Sequence, residues 1–438
     1  MQGKVVKNAG WIIGCKLVKA VLTLVVTAIT ARYLGSGNYG LINYAASLVA
    51  FVVPIMQLGL NSTLVHEIVS HPEDEGKVVG TAMTLNFVSA FLCIIGVISF
   101  SSLVNAGETE TIIVCGIYSI LLLFQALEII HYWFQAKLMA KFSAIAMLVA
   151  YVAVSSFQIL LVVFGTSVYY FAFSYSIDFF IISTILIIIY YKKGGQKLKF
   201  SMAIAKQMLS VSKYYIISSL MTTLFAQTGN VMLKLMIDNS ATGIYSAAVT
   251  CASMTSFVFV AIIDSFRPEI FAAKNQSEEL FEKRLKELYS VIIYFSLLQC
   301  IAITLLAPLI IKIMYGDGFV DAVPVLRIAV WFTTFSYIGT VRDVWILSEG
   351  QQKYLLLINA IGASVNIILN LFLIRYVGTV GAAISSVITQ LFTNVIVGFI
   401  IKKIRRNNYI MVKSFNPKNI IALIKSFKGK TNNDGQKE

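Results

Sequence analysis

About a dozen apolar stretches, each near 20 residues, run through almost the whole chain. A helix of that length crosses about 30 Å of hydrocarbon. Ile113 to Ile130 and Ala144 to Phe164 are examples. Too little chain lies between the stretches to build a soluble domain, so function has to reside within or between the spans. In hydrocarbon every backbone polar group must be satisfied internally, and the reading is therefore an all-α, polytopic membrane protein.

Composition matters here for what it excludes. Charged residues make up 13% of the chain, against about 25% in soluble domains. A net charge of +14 would suit nucleic acid, but the Lys and Arg residues gather in alternate loops and in the tail, and no base-reading motif accompanies them. The five cysteines (Cys15, Cys93, Cys115, Cys251, Cys300) all fall inside apolar spans with no CxxC pair and no Cys/His cluster. No metal or redox site, and no cofactor, is expected. There is also no GxxxxGK[ST] loop for ATP. Lys4 and Lys7 precede the first apolar run in the manner of a signal peptide. Lys16 and Lys19 interrupt that run and no small-x-small cleavage site follows, so it is read as an uncleaved first span.

Twelve spans are expected: 9–31, 40–62, 78–100, 112–133, 142–164, 168–190, 214–237, 243–266, 289–314, 325–347, 354–375 and 380–401. Tyr132-Trp133, Tyr169-Tyr170, Tyr190-Tyr191 and Tyr214-Tyr215 sit at span ends, where aromatic belts form. One set of loops holds Lys4, Lys7, Lys137, Lys141, Lys192, Lys193, Lys197, Lys199, Lys206, Lys213, Lys274, Lys283, Arg284 and Lys286, and the tail adds Lys402, Lys403, Arg405 and Arg406. The opposite loops hold little beyond Arg32 and Arg375. The positive-inside rule then places both termini in the cytoplasm. The basic loop divides the chain into a six-helix lobe (1–191), a linker (192–213), a second six-helix lobe (214–401) and a basic tail (402–438). Phe200 to Leu209 reads either as an amphipathic helix on the inner leaflet or as a solvated linker. Asn419 to Phe427 has a similar character, and Gly429 to Glu438 has a disordered composition. A faint echo links the lobes: Gly40-Leu41-Ile42-Asn43-Tyr44-Ala45-Ala46 opens the second span and Gly243-Ile244-Tyr245-Ser246-Ala247-Ala248 the eighth. Small residues there allow close helix packing, and two related bundles are a common transporter plan.

Ionisable residues at membrane depth are costly and point to function. Lys16 and Lys19 share one face of the first span, where they either line an anion-attracting cavity or pair with Asp178 or Glu128. Asp178 lies mid-way along the sixth span, and Glu128 and His131 lie three apart near the inner end of the fourth; these are candidates for ion coupling. Arg342 and Asp343 are sequence neighbours that point in different directions and cannot pair simply along the helix, so one or both need a partner elsewhere. Asp264 and Arg267 suit an ion pair at a helix end, and Lys234 and Lys312 are placed to snorkel outward. Asn359, Asn366 and Asn370 form a stripe that either lines a cavity or joins helices, as do Gln390 and Asn394. Cations inside the bilayer suit an anionic substrate, and Lys16, Lys19 and Arg342 are the candidates to hold a diphosphate or acidic sugars.

Several segments resemble the Wzx-type O-antigen flippases of the MOP superfamily, which also contains the MATE drug exporters. They are Ala31-Arg32-Tyr33-Leu34-Gly35-Ser36-Gly37-Asn38-Tyr39-Gly40 with Leu58-Gly59-Leu60; Thr242 to Ala248; and Glu349-Gly350-Gln351-Gln352-Lys353 followed by Asn366, Asn370 and Gly378-Thr379-Val380-Gly381-Ala382-Ala383. The resemblance implies a MATE-like fold of two lobes, alternating access coupled to an ion gradient, and an undecaprenyl-diphosphate-linked oligosaccharide as substrate. It also implies location in the inner (plasma) membrane, with a polysaccharide polymerase and a chain-length regulator as partners. Its motifs are structural and carry no charged residue over. Drug exporters of the superfamily often have an acidic residue in the first helix, where this chain has Lys16 and Lys19. A multidrug or organic-cation antiporter of the same fold is the alternative, and the short outer loops argue against a polymerase or glycosyltransferase.

Overall fold

The computed structural model describes the backbone of residues 2–416, and side chains from residue 18 onward except at positions 20, 21, 62, 211, 213, 214 and 218. The side chain of Lys16 and the tail segments Asn419 to Phe427 and Gly429 to Glu438 lie outside the described residues. Every regular element among the described residues is helical. Among the described residues, ten helices are long and apolar enough to cross a membrane, or eleven when the pair Asn239–Ser253 and Ser256–Gln276, bent by 41°, is counted as one span. Twelve spans were expected from the sequence. The difference lies in α1 (Gln2–Met56), whose 55 residues form one merged helix interrupted only at Gly35, where φ is 69°. The chain kinks there into two helical arms, about 50 and 30 Å long at 1.5 Å per residue, enough for the first two expected spans. Glycine alone adopts that left-handed geometry without strain.

The chain forms two compact units. The first comprises Met1–Ser246 and Met314–Phe319. Besides α1 it contains α2 (Leu64–Ser70), α3 (Glu75–Val104), α4 (Thr109–Ser119), α5 (Leu121–Glu128), α6 (His131–Ala136), α7 (Ala140–Val163), α8 (Val168–Lys192) and α9 (Met202–Met236). Residues 214–246, expected to begin the second lobe, fall in this unit. α1 packs along α7, α9 and α4, and α8 packs on α7 and α5. The apolar interior forms two layers. One gathers Leu41 to Met56, Ala90 to Val97, Leu121 to Ala126 and Phe171-Ala172. The other, nearer the linker, gathers Leu64, Val78 to Met83, Ile129 to Phe134, Ala146, Ala150 and Ile182 to Tyr190. Trp133 and Tyr190 belong to this second layer, 2% and 0% exposed with ring centroids 4.8 Å apart. They are core residues and not interfacial anchors; burial of both rings outweighs the preference of their polar tips for the headgroups.

The echoing segments meet. A Cβ on Gly40 would lie 1.7 Å from the Asn239 carbonyl oxygen and 2.6 Å from the Gly243 nitrogen, and one on Gly243 would lie 2.0 Å from the Ser36 oxygen. α1 therefore crosses the start of α10 (Asn239–Ser253) backbone against backbone, and the Ser36 and Ser240 hydroxyls hydrogen-bond at 2.7 Å beside the crossing. Ser47 hydrogen-bonds Gln227 Oε1 at 2.9 Å and accepts from Asn230 Nδ2 at 3.1 Å, joining α1 to α9.

The linker is neither a free loop nor a separate interfacial helix. Phe200 to Leu209 overlaps the first turns of α9, with Ala205 and Met208 buried. Ahead of it, residues 196–201 strap across the start of α3. The Lys199 N–H donates to the Gly76 carbonyl at 3.2 Å, the Gly76 N–H donates to Gln196 Oε1 at 3.1 Å, and the Ser201 N–H donates to Thr81 Oγ1 at 2.9 Å. A Cβ on Gly76 or Gly80 would come within 2.6 Å of strap backbone. The strap thus satisfies its own polar backbone on a neighbouring helix, which local sequence does not reveal.

The second unit comprises Ala247–Ile313 and Val320–Glu438. It is built from α11 (Ser256–Gln276), α12 (Glu278–Met314), α13 (Ala322–Ser348), α14 (Lys353–Val377), α15 (Thr379–Leu391), α16 (Val397–Ile400) and α17 (Arg405–Lys413). α15 packs between α13 and α14. A π-helical turn, Phe392–Ile396, separates α15 from α16.

Candidate functional site

The candidate site is a polar waist inside the first unit, between its two apolar layers. Chain position locates it on each helix. On α3, Asn86 falls between Met83 of one layer and Ala90 of the other; on α8, Ser174 to Asp178 fall between Ala172 and Ile182; on α7, Tyr151 and Ser155 fall between Ala150 and Leu161; Glu128 falls between Ala126 and Ile129. α1 contributes Lys19, whose ammonium lies 5.1 Å from the Tyr151 ring centroid. That distance is within cation–π range.

Lys19, Glu128 and Asp178 form one electrostatic group. The Lys19 charge acts on both carboxylates, and the Asp178 charge acts on Glu128. Among the described residues no ion pair within 4.0 Å joins them, so the ammonium is shared through space and not locked to one partner. Asp178 Oδ1, Gln125 Oε1, Asn86 Oδ1, Ser176 Oγ and His131 Nδ1 are shielded atoms with no hydrogen-bond partner among the described residues. Buried polar atoms are normally paired; those of Asn86, Ser176 and Asp178, between the two layers, mark a place equipped to bind a polar or ionic species. Of the residues selected from sequence, Lys19, Glu128 and Asp178 come to this level, whereas His131 lies within the layer of Ile129, Ile130 and Trp133. Sequence reading overlooked Asn86, Gln125, Tyr151 and Tyr175. Their mid-span polar tips were the available signal, but uncharged groups are far cheaper to bury than ions and stand out less. No group of three or more His, Cys, Asp or Glu able to hold a metal occurs among the described residues.

Arg342 has a different setting. It is 3% exposed. Its guanidinium donates to Asp343 Oδ1 at 2.7 Å, to the Thr393 carbonyl at 3.0 Å and to Asn394 Oδ1 at 2.9 Å. The neighbours in sequence do pair, contrary to expectation: diverging Cβ directions are overcome by a long side chain that curls back. The fork braces the π-turn, where a widened ladder leaves carbonyls in need of donors. The Val395 carbonyl is likewise taken by Asn408 Nδ2. A Cβ on Gly339 would come within 2.4 Å of Asn394 Oδ1, so glycine lets α13 approach the turn. Asn366 and Asn370 are 2% and 0% exposed; Asn366 Nδ2 donates to Thr389 Oγ1 at 3.3 Å and Asn370 Nδ2 to Asn366 Oδ1 at 2.9 Å. Asn366 thus joins α14 to α15, and Asn370 supports it from the next turn of α14, whereas Asn359 is half-buried a turn or two earlier.

Several other charges lie near the ends of helices. Asp264 and Arg267 form the expected pair, at 3.2 Å. Lys312 is exposed. Lys234 does not snorkel: it is 7% exposed and donates to Glu108 Oε2 at 2.6 Å, because a carboxylate at the start of α4 stands within reach. With a second hydrogen bond from Thr111 Oγ1 at 2.7 Å, Lys234 and Thr111 hold the Glu108 carboxyl below its ordinary pKa.

Comparison with known proteins follows this geometry. The lipid II flippase MurJ, in an inward closed conformation, superimposes with a TM-score of 0.70 at 16% identity, over 96% of each chain. An inward-facing multidrug resistance MATE family transporter of the MOP superfamily gives 0.67 at 15% identity, over 90% of this chain and 96% of the other. A MOP superfamily transporter from Pyrococcus furiosus gives 0.60 at 15% identity, over 93% and 96%. At such identities the likeness establishes the MOP fold. No curated protein matches the sequence. Residues 5–274 match the family described as polysaccharide biosynthesis protein. The match spans more than half of the chain, and this multi-pass membrane protein with the MOP transporter fold belongs to the polysaccharide biosynthesis protein family.

Proposed function

We propose that the protein is a flippase that moves an undecaprenyl-diphosphate-linked oligosaccharide, an O-antigen or capsule repeat unit, from the cytoplasmic to the periplasmic leaflet of the inner membrane by ion-coupled alternating access. The observation that carries this reading is the waist, where one ammonium, Lys19, stands in the field of two carboxylates, Glu128 and Asp178, at membrane depth. Lys19, with Lys16 on the same helix, supplies the positive charge for a diphosphate or acidic sugar. Asp178 and Glu128, with His131, supply the exchangeable negative charge for a proton or sodium ion. Substrate anion and carboxylates compete for the same ammonium, so occupancy by one shifts the affinity for the other; that reciprocity is what coupling requires. Arg342 supports the reading through the brace in the second unit and not as a free cavity cation. A polymerase and a chain-length regulator are the proposed downstream partners.

The test is a strain lacking the protein. Polyprenyl-diphosphate oligosaccharide accumulating on the inner leaflet, with surface glycan lost and restored by the wild-type gene but not by a Lys16→Gln/Lys19→Gln variant expressed at equal level, supports the reading. Full rescue by that variant removes the lysines from the mechanism. The acidic and aromatic walls of the waist (Asp178, Glu128, Tyr151, Tyr175) favour the second reading, an organic-cation antiporter. An unchanged lipid-linked pool with new sensitivity to cationic drugs would select it.

A further inference from the structure

A cleft of about 300 Å³ opens on the first unit beside the linker strap. It is lined by Met83, Thr84 and Phe87 of α3, Leu127 of α5, and Leu198, Lys199 and Phe200 of the strap. Its walls are almost wholly apolar, with Lys199 supplying the charge. Phe87 and Phe200 are 44% and 48% exposed at its edge. The same face of α3 continues away from the strap as Phe91, Ile95 and Ile98, all exposed, at spacings of four, four and three residues. α3 is a membrane-crossing helix by length and hydropathy, so this strip is the face it turns to hydrocarbon and the cleft is continuous with it.

We propose that this cleft is a binding site for an anionic phospholipid of the leaflet on the linker side, one acyl chain lying against Met83, Phe87, Leu127 and Phe200 and the phosphate resting on Lys199. Charge complementarity selects the occupant. Asp74 and Glu75 near the start of α3 are held by Lys77 and Lys137 at 2.8 and 2.7 Å. Lys197, Lys199 and Lys206 on and beside the strap are exposed and form no ion pair within 4.0 Å among the described residues. An apolar slot open to hydrocarbon with an uncompensated ammonium at its rim fits an acyl chain below an anionic headgroup. Among the described residues, Thr84 and Lys199 are the only polar side chains that line it, too few to hold a sugar. The lipid would bridge α3 to the strap, adding to the contacts at Gly76 and Gly80. This site is independent of the waist and of the flippase reading.

The test is native mass spectrometry of the full-length protein released from nanodiscs of equal phosphatidylglycerol and phosphatidylcholine. The expected result is selective retention of one phosphatidylglycerol. Lys199→Gln should lower that retention about fivefold, as expected for one basic residue at an anionic surface. Thr84→Trp, which fills the cleft from an exposed position, should lower it similarly, and Lys206→Gln, outside the cleft, should leave it unchanged. Equal retention in Lys199→Gln and the parent, equal retention of phosphatidylcholine, or displacement of the phospholipid by equimolar geranylgeranyl diphosphate would overturn the proposal; the last would assign the cleft to a prenyl carrier. Two variants in different walls keep the test decisive if one fails to fold.

Discussion

Replacing Arg342 with Leu discriminates most sharply between a brace and a substrate cation. The substitution removes the guanidinium donors to the Thr393 carbonyl and Asn394 Oδ1, both in the π-turn, and frees Asp343, whose side chain is 42% exposed. An acceptor left buried without a donor costs about 1–3 kcal/mol. Two such acceptors set a range of about 2–6 kcal/mol, and single polar contacts between helices in membranes average only about 0.6 kcal/mol, which pulls the expected figure to the lower part of that range. Asp343 adds little because water reaches it. A loss of about 2–3 kcal/mol is therefore expected, which by the scaling of domains of 150–250 residues lowers the melting temperature by about 5–10 °C. Intrinsic tryptophan fluorescence of the detergent-purified protein reads this directly, since Trp331 and Trp345 both lie on α13 with Arg342. Arg342→Lys should fall between parent and Arg342→Leu, because one ammonium cannot span a three-point fork. If Arg342→Leu melts with the parent yet loses transport, the brace argument fails and the side chain serves the substrate.

Other outcomes follow from named contacts. Gly40→Ala forces a methyl into backbone 1.7 Å away, and overpacking of about 1–3 kcal/mol or more should reduce folded yield in size-exclusion profiles; Gly37→Ala, with open space around it, should not. Asn366→Leu breaks the hydrogen bond to Thr389 and strands Asn370, for an expected loss of about 1 kcal/mol in melting experiments. Asp178→Asn should abolish the pH dependence of transport in reconstituted vesicles while the protein stays folded, and an unaltered pH profile would remove Asp178 from coupling. Glu108 has a depressed pKa through its Lys234 and Thr111 hydrogen bonds, so its contribution to stability is present above its unfolded pKa and is lost as pH falls through the lower folded value. Melting temperature should drop in that acidic range for the parent and less steeply for Glu108→Gln.

What was legible in the sequence divides along a physical line. Hydropathy over 20 residues is a property of each segment alone, so the helical, membrane-spanning class follows from the chain without knowing any partner. The Gly40 and Gly243 echo was also legible, and the reason is now visible: a backbone-to-backbone crossing imposes a small residue on each strand of the contact, leaving a local trace of a long-range event. Charges behave differently. Nothing local to Lys234 announces Glu108, 126 residues away; nothing near Arg342 announces a π-turn at Thr393. A membrane charge is decided by whichever group tertiary packing brings within reach, and the same side chain can be a snorkel, a brace or a ligand. Lys19, Glu128 and Asp178 differ from those pairs in one respect. They share a field without a direct ion pair, amid several buried polar atoms that remain unpartnered. A structural pair would have closed to contact distance, as Lys234 and Glu108 do. A group of charges held near one another but left open is the arrangement expected where a transient anion or cation has to take its turn.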